Sequence, residues 1–304
     1  MAKDNTKFKM NLKMNWPLYA MLIPGIIVVF IFSYIPMYGL VIAFQDYQPT
    51  QGFTGSPFVK GYWFNFIFNM PDFWQIVKNT VSIAVAKIIF GQLASIAFAL
   101  MLNEVINVRF KRTVQTMVYL PYFLSWVILG SIFVDILSVD GIVNRFIALL
   151  GGEPIFFLGS NKWFRFAVVS TSIWQSFGWG TILYLAALTG IDPSLYEAAA
   201  IDGAGRWRQT WHITLPGIMP TIILLATLSL GSVLNAGFEQ LLVMYNPAVY
   251  ETGDILDTFI YRTGLKQAQF SLATAVGLIK SIAGFIMISI SYYLANRFAN
   301  YRIF

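Results

Sequence analysis

The sequence predicts an all-α integral membrane protein with six transmembrane helices, on the basis of its composition and of six apolar runs. Of its 304 residues, 57% are hydrophobic and only 11% are charged, and the mean hydropathy is +0.66. An ordinary soluble domain has roughly 25% charged residues. The few charges here cannot cover a water-soluble core, which excludes a soluble enzyme, a disordered chain and a coiled coil.

Each apolar run is long enough for a helix that crosses the hydrocarbon core, which takes about 20 mostly apolar residues. The runs do not alternate as the ~10-residue strands of a membrane barrel do. The first run is longer than the apolar core of a signal peptide, so we expect it to be retained, and Pro24 and Pro36 predict kinks in it. The six predicted spans are residues 17–44, 77–102, 113–134, 166–191, 217–234 and 273–295.

The distribution of Lys and Arg predicts that both termini are cytoplasmic. Basic residues concentrate in the segments before the first span, between the second and third, between the fourth and fifth, and after the sixth. Such segments face the cytoplasm in membrane proteins. Residues 1–16 are then a cytoplasmic N-terminal tail, and residues 17–304 form one transmembrane domain. The orienting cations are Lys3, Lys7, Lys9, Lys13, Arg109, Lys111, Arg112, Arg206, Arg208, Arg297 and Arg302.

Two segments on the predicted outer side are more than simple linkers. Asp140–Leu150 has apolar residues at helical spacing, which predicts a short amphipathic helix, and Gly151 and Gly152 follow as its end. Glu239–Phe270 is polar and contains the turn signal Asn246-Pro247. Neither segment is long enough to form a separate domain.

The loop between the fourth and fifth spans, residues 192–216, has the clearest local signals. Asp192 suits a helix N-cap and Pro193 the first helical position. Gly203 and Gly205 favour a left-handed end to that helix, and a second short helix is expected over residues 206–214. Three consecutive alanines between acidic residues offer a narrow surface to a partner protein, which favours docking over catalysis. A generic amphipathic helix at the membrane surface is the alternative interpretation.

The same loop resembles the EAA motif, EAA-x3-G-x9-I-x-L-P, of the permease subunits of binding-protein-dependent ABC importers. Glu197-Ala198-Ala199 is followed by Gly203 and then by Ile213-Thr214-Leu215-Pro216 at the spacing of that motif. The segments Leu22–Pro49 and Val114–Val127 are similar to the sugar branch of these permeases, within it to the subgroup that imports polysaccharide fragments. The resemblance implies a type I ABC importer permease fold.

It also implies the function and the partners. The chain would be the permease subunit of an ATP-driven importer of oligosaccharides or polysaccharide fragments in a bacterial cytoplasmic membrane. It would work with a second EAA-motif permease, two cytoplasmic ATP-binding subunits and an extracytoplasmic solute-binding protein. ATP and Mg would be bound by the partner ATPase, because the sequence has no G-x4-G-K-[ST] phosphate loop. The residues that match the ATPase-coupling motif are Tyr196, Glu197, Ala198, Ala199, Asp202 and Gly203.

Polar side chains at helical spacing predict where a hydroxyl-rich solute would pass. Polar faces of membrane helices seldom point at lipid. Serine hydroxyls that only bond across a helix interface, and aromatic rings that only form an interfacial belt, are the alternative interpretations. The residues predicted on the fourth span are Ser172, Gln175, Ser176 and Trp179. Those predicted as a stripe along the fifth span are Ser229, Ser232, Asn235 and Glu239.

Lys87 and Lys280 interrupt the second and sixth spans. Each could snorkel to the interface, pair with Asp135 or a carbonyl, or face the solute, where a cation would suit an acidic, uronate-bearing oligosaccharide. We include Lys87 in the predicted substrate pathway for that reason.

Catalytic and metal chemistry have no candidate residues in the sequence. There is no Cys and one His, His212, so neither a thiolate site nor a Ser-His-Asp triad is expected. The alternative function is a self-sufficient secondary transporter or channel, which would favour inverted repeats and intramembrane carboxylates. The two halves of the chain do not resemble each other.

Overall fold

The computed structural model of the chain shows that the long apolar runs of the sequence form helices. The structure describes the backbone of residues 2–299 and the side chains of residues 15–297. Within that part of the chain the only β-type pairing is an isolated bridge between Gln45 and Phe58. The orienting cations Lys3, Lys7, Lys9, Lys13 and Arg302 have side chains outside the described residues.

The first helical stretch begins as α1 (Ala2–Val29), passes through a π turn (Phe30–Tyr34) and ends as a 3₁₀ segment (Ile35–Phe44). Its part from Asn15 to Phe44 spans 30 residues and confirms the first apolar element. Because proline lacks an N–H, the changes of helix type near Pro36 are the expected response. Most of its side chains are exposed, which suits contact with lipid or another subunit.

Short elements lead from the first stretch to the centre of the molecule. They are α2 (Gly52–Gly55) and α3 (Tyr62–Asn69), followed by α4 (Phe73–Asn103). α4 has 31 residues and contains the predicted second span. It packs along α8 (Asn161–Leu188), and the Ser95 hydroxyl donates to the Phe177 carbonyl at 3.0 Å.

The third predicted span, residues 113–134, is wrong as a single helix. The structure has α5 (Val108–Tyr119) with a 3₁₀ turn to Phe123, and then α6 (Trp126–Ile136) at an angle of 101° to it. Pro121 removes a backbone donor at the turn, and the Ser125 side chain accepts from the Ile128 N–H at the start of α6. The bent pair has the combined length of one broken span.

The predicted outer helix is confirmed as α7 (Ile142–Leu149), and Gly151 follows it with a positive φ of 80°. Asn144 is buried on α7 and donates to the carbonyls of Ser138 and Ile155, both at 2.8 Å. α8 follows and is 28 residues long. Its length suits the fourth span, although its composition is less apolar than that of the other long helices.

Two predictions about the fifth span need correction. After α9 (Pro193–Ile201), the segments α10 (Arg206–Gln209), a π turn and α11 (Leu215–Leu230) form one stretch of 25 residues. The second short helix of the loop is therefore continuous with the span. The span also ends at Leu230 and not at 234, because a turn and an extended segment occupy residues 231–237.

The remaining elements are three short helices and one long one. They are α12 (Phe238–Met244), α13 (Tyr250–Gly253), α14 (Leu256–Tyr261) and α15 (Phe270–Ala299). α15 contains the predicted sixth span and packs against α11, α14 and the 3₁₀ segment of the first stretch. Four described stretches are long and apolar enough to cross a membrane, and the bent pair makes a fifth.

Candidate functional site

α9 carries the residues of the predicted docking loop, and its start is capped as the sequence indicates. The Asp192 carboxylate accepts from the Ser194 N–H at 2.9 Å, and Pro193 occupies the first helical position. This backbone hydrogen bond holds the pKa of the exposed Asp192 carboxyl below its usual range. The cap fixes the residue at which α9 begins.

The end of α9 is a left-handed turn at Gly203, where φ is +75°. The Gly203 N–H donates to Ala200 O at 3.1 Å, and the Ala204 N–H donates to Ala199 O at 2.8 Å. These two bonds satisfy the last helical carbonyls in a Schellman arrangement, which glycine adopts without strain. The glycine of the motif is therefore required by the backbone.

One side of α9 contacts the transmembrane helices, and the other side is exposed. The Tyr196 hydroxyl lies 3.0 Å from Oγ1 of Thr214, which is buried. Glu197, Ala198 and Asp202 are exposed. Arg206 also pairs with Glu104 at the end of α4, at 2.7 Å. Sequence reasoning missed Thr214 and Glu104 as partners, because each lies far along the chain from the residue it contacts.

The predicted pathway residues on α8 lie against the bend between α5 and α6. The Gln175 amide donates to Tyr122 O at 3.4 Å, and the Trp179 ring stacks on the Tyr122 ring with centroids 4.8 Å apart. The Ser176 hydroxyl donates to Ser172 O at 2.8 Å, within the same helix. These four residues therefore share a region of α8, and two of them contact the broken span.

The predicted polar stripe along the fifth span is wrong as a helical stripe. Ser229 lies in the last turn of α11, and its hydroxyl donates to Leu225 O at 2.7 Å. Ser232 and Asn235 belong to the turn and extended segment that follow, and Glu239 lies exposed in α12. Gly237, at φ +93°, redirects the chain before α12. We call residues 231–237 the break.

A cavity of about 710 Å³ adjoins the break. The Lys280 ammonium extends into its wall and donates to the Asp257 carboxylate at 2.5 Å and to Asn235 Oδ1 at 3.2 Å. The rings of Phe238 and Tyr261 line the same cavity with centroids 5.7 Å apart. Asn235 is thus the one predicted pathway residue that lines it. Asp257 was missed, since only its position in a polar outer segment was visible in the sequence.

Lys87 does not line this cavity and pairs with the protein. Its ammonium donates to Ala236 O at 2.6 Å and to Gln240 Oε1 at 2.5 Å. The Gln240 amide in turn donates to Val168 O and to Thr171 Oγ1, both at 2.8 Å. The sequence left three alternatives open for the Lys87 side chain, and the structure shows the one in which it pairs with a backbone carbonyl.

An ion pair joins the two residues that flank α14, Asp254 and Arg262. Asp254 and Arg262 are 2.6 Å apart, and the Arg262 guanidinium also lies 4.3 Å from the centre of the Tyr250 ring. Burial disfavours the charge of Arg262, but the hydrogen bond to Asp254 and the electrostatic attraction of Asp254 and the two neighbouring tyrosines together outweigh it, so that the pKa of Arg262 is raised. Asn79 of α4 is fully buried and donates to the Asp254 carbonyl at 3.0 Å.

Comparison with known proteins identifies the class. Residues 88–300 match the family described as binding-protein-dependent transport system inner membrane component. The fold and the docking loop define a multi-pass, membrane-embedded transport subunit. The chain belongs to this family of inner membrane components of binding-protein-dependent transport systems. No group of three metal-binding side chains occurs among the described residues.

Individual relatives cover nearly the whole chain. Protein LplB of Bacillus subtilis is 46% identical over 294 residues, which are 96% of this chain and 92% of LplB. The polygalacturonan/rhamnogalacturonan transport system permease protein YteP of the same organism is 45% identical, covering 94% of this chain and 90% of its own.

A bacterial ABC transporter involved in the import of the acidic polysaccharide alginate contains a chain of the same fold. Its crystal structure superimposes with a TM-score of 0.87 at 38% identity, over 96% of this chain and 99% of the other. The same transporter has been solved with an alginate pentasaccharide-bound periplasmic protein. At this identity and coverage the type I ABC permease fold is established for the chain.

Proposed function

We propose that this chain is the permease subunit of an ATP-driven importer of oligosaccharides or polysaccharide fragments, acidic ones included. The observation that carries the proposal is α9, a capped helix with the EAA motif on its exposed side. YteP belongs to a polygalacturonan/rhamnogalacturonan transport system, and the alginate transporter imports an acidic polysaccharide. The similarity of this chain to both supports acidic polysaccharide fragments as its substrate class.

The proposed topology has six spans and two cytoplasmic termini. Six elements of suitable length support it: the first stretch, α4, the bent pair, α8, the α10–α11 stretch and α15. α9 follows α8 at the end that this topology places in the cytoplasm, where a separate ATPase would bind ATP and Mg.

Coupling to that ATPase is assigned to the exposed side of α9. Tyr196 attaches the helix to Thr214, so a push on α9 is transmitted to the start of α11. Glu197 and Asp202 are free to meet cations of a partner, and the small side chains of Ala198 and Ala199 permit close approach. Gly203 gives the helix a fixed end.

The solute pathway is assigned to α8, the break and the adjoining cavity, in a pair with a second permease. Asn235 is the residue best supported, since it lines the cavity beside a cation, a carboxylate and two aromatic rings. Such a set can donate to and accept from sugar hydroxyls and stack on a sugar face. The pathway residues proposed are Ser172, Gln175, Ser176, Trp179, Ser229, Ser232, Asn235 and Glu239.

The outer surface is assigned to contact with a solute-binding protein. Residues 140–158 and 239–270 provide it, because they form α7 and α12–α14 at the end opposite α9. The structure of the alginate transporter with its periplasmic protein supports a partner of this kind.

Co-purification tests the proposal. Extracted in mild detergent, the chain should bring with it a second permease and an ATPase. Deletion of residues 196–203 should abolish the association with the ATPase, and Glu197→Lys should lower solute-stimulated ATP hydrolysis severalfold. Glu153→Lys, the same reversal at an exposed outer position, is the matched control. An ATPase that stays bound and active after the deletion would contradict the assignment of α9.

A further inference from the structure

We propose that Lys87 and Lys280, which contact the adjacent residues Ala236 and Asn235 of the break, have different roles, an inference that rests on the proposed import function. Lys87 is a positioning residue that fixes the backbone of the break. Lys280, together with Asp257, is the charged pair that a solute meets in the cavity. The sequence presents both as equivalent cations inside apolar runs, and the structure separates them.

The break requires support because it is non-helical backbone that includes the buried residues Val233 and Ala236. Buried backbone carbonyls cannot bond to water and need partners from the protein. Ala236 is fully buried, and its carbonyl accepts from the Lys87 ammonium at 2.6 Å. The two residues are 149 positions apart in sequence, so the contact fixes the break to α4.

The network around Lys87 is closed to the solute. Gln240 is fully buried, and it joins Lys87 to Val168 and Thr171 on α8. A Cβ at Gly237 would lie 2.7 Å from the Lys87 ammonium, so the break passes close against it. Both acceptors of Lys87 are thus buried protein groups that hold α4, α8 and α12 together.

The network around Lys280 is open to the solute. Its acceptors, Asn235 and Asp257, both line the cavity, and the Asp257 side chain is 23% exposed. An ammonium has three N–H donors, of which these acceptors take two. The third donor, and the second oxygen of Asp257, can serve the hydroxyl or carboxylate groups of a saccharide.

Thiol labelling distinguishes the two roles without knowledge of the solute, because the chain has no native Cys. Ser281→Cys places a reporter in the cavity wall. In the assembled transporter, the rate at which this Cys reacts with an anionic methanethiosulfonate is compared with its rate of reaction with a cationic one. Lys280→Met should lower the anion-to-cation rate ratio about fivefold, as expected for loss of one unit charge at short range. Lys87→Met should leave the ratio unchanged.

Ser232→Cys reports on the break itself. Lys87→Met should raise the rate at which this Cys reacts with N-ethylmaleimide at least threefold. Gln240→Leu should raise the rate by the same factor, and the two substitutions combined should raise it no further. Lys78→Met, at an exposed lysine of the same helix, is the matched control and should change nothing. The isosteric Thr171→Val gives a milder test should the other variants fail to assemble, with about a twofold rise.

An altered charge ratio in Lys87→Met would overturn the positioning role. An unaltered ratio in Lys280→Met would overturn its place at the solute. Both outcomes leave the coupling function of α9 intact, and an ATPase that stays bound after the α9 deletion would contradict that function without changing these labelling results.

Discussion

α9 follows the long helix α8 and the break follows α11, but the two short segments are held in different ways. α9 is defined locally, by the Asp192 cap and the Gly203 turn, and its functional side is exposed. The break is held by side chains from α4 and α15, which reach Ala236 and Asn235. A docking surface can rely on its own helix. A buried, non-helical segment such as the break needs the rest of the fold to satisfy its backbone.

The largest expected effect is at Gly237, in the break. Gly237→Ala places a Cβ 2.7 Å from the Lys87 ammonium, in a backbone with φ +93° that alanine adopts poorly. The substitution strains the left-handed backbone by about 1–2 kcal/mol and also displaces the ammonium from Ala236 O. We expect solute uptake by the whole complex to fall more than tenfold while ATPase association persists. Wild-type uptake in this variant would show that Lys87 does not hold the break.

A matched substitution in α9 should have a smaller effect. Gly203→Ala meets the same left-handed restriction at φ +75°, but nothing lies within 4 Å of the added Cβ. Only the backbone strain of about 1–2 kcal/mol remains, so we expect at most a fivefold loss of solute-stimulated ATP hydrolysis. An effect as large as that of Gly237→Ala would mean that the exposed end of α9 is tightly covered by a partner.

The smallest effect is expected at Glu104. Its ion pair with Arg206 is short, but the side chains are 51% and 72% exposed, and such pairs contribute about 0–1 kcal/mol. Glu104→Gln should change ATP hydrolysis less than threefold, measured on the same complex. Glu104→Arg combined with Arg206→Glu should return it to the wild-type value. A tenfold loss in Glu104→Gln would show that the pair aligns α9 with α4 for coupling.

The features predicted correctly from sequence are those with local causes. The apolar runs predict the long helices, and the cap and turn signals predict α7 and α9. The bend at Pro121 was missed because the run that contains it is uniformly apolar, so that hydropathy alone reads it as one span. The end of α11 at Leu230 was missed for the same reason.

The partners of the two buried lysines could not be predicted. Lys87 and Ala236 lie 149 residues apart, and Lys280 and Asn235 lie 45 apart. No periodicity relates such positions, since only the packing of α4, α8 and α15 brings them together. The sequence therefore predicts that these cations need acceptors but not which groups accept from them, and the aspartate beside Lys280 went unrecognised as part of the site.

The central claim is that this chain imports a solute only when an ATPase acts on α9. The most direct measurement is uptake of labelled oligogalacturonate and of a neutral oligosaccharide into proteoliposomes that contain the whole complex and its solute-binding protein. We predict uptake of at least one of them when ATP and Mg are supplied on the side of α9, and none without ATP or after deletion of residues 196–203. Equal uptake with and without ATP would contradict the account and would indicate a self-sufficient transporter.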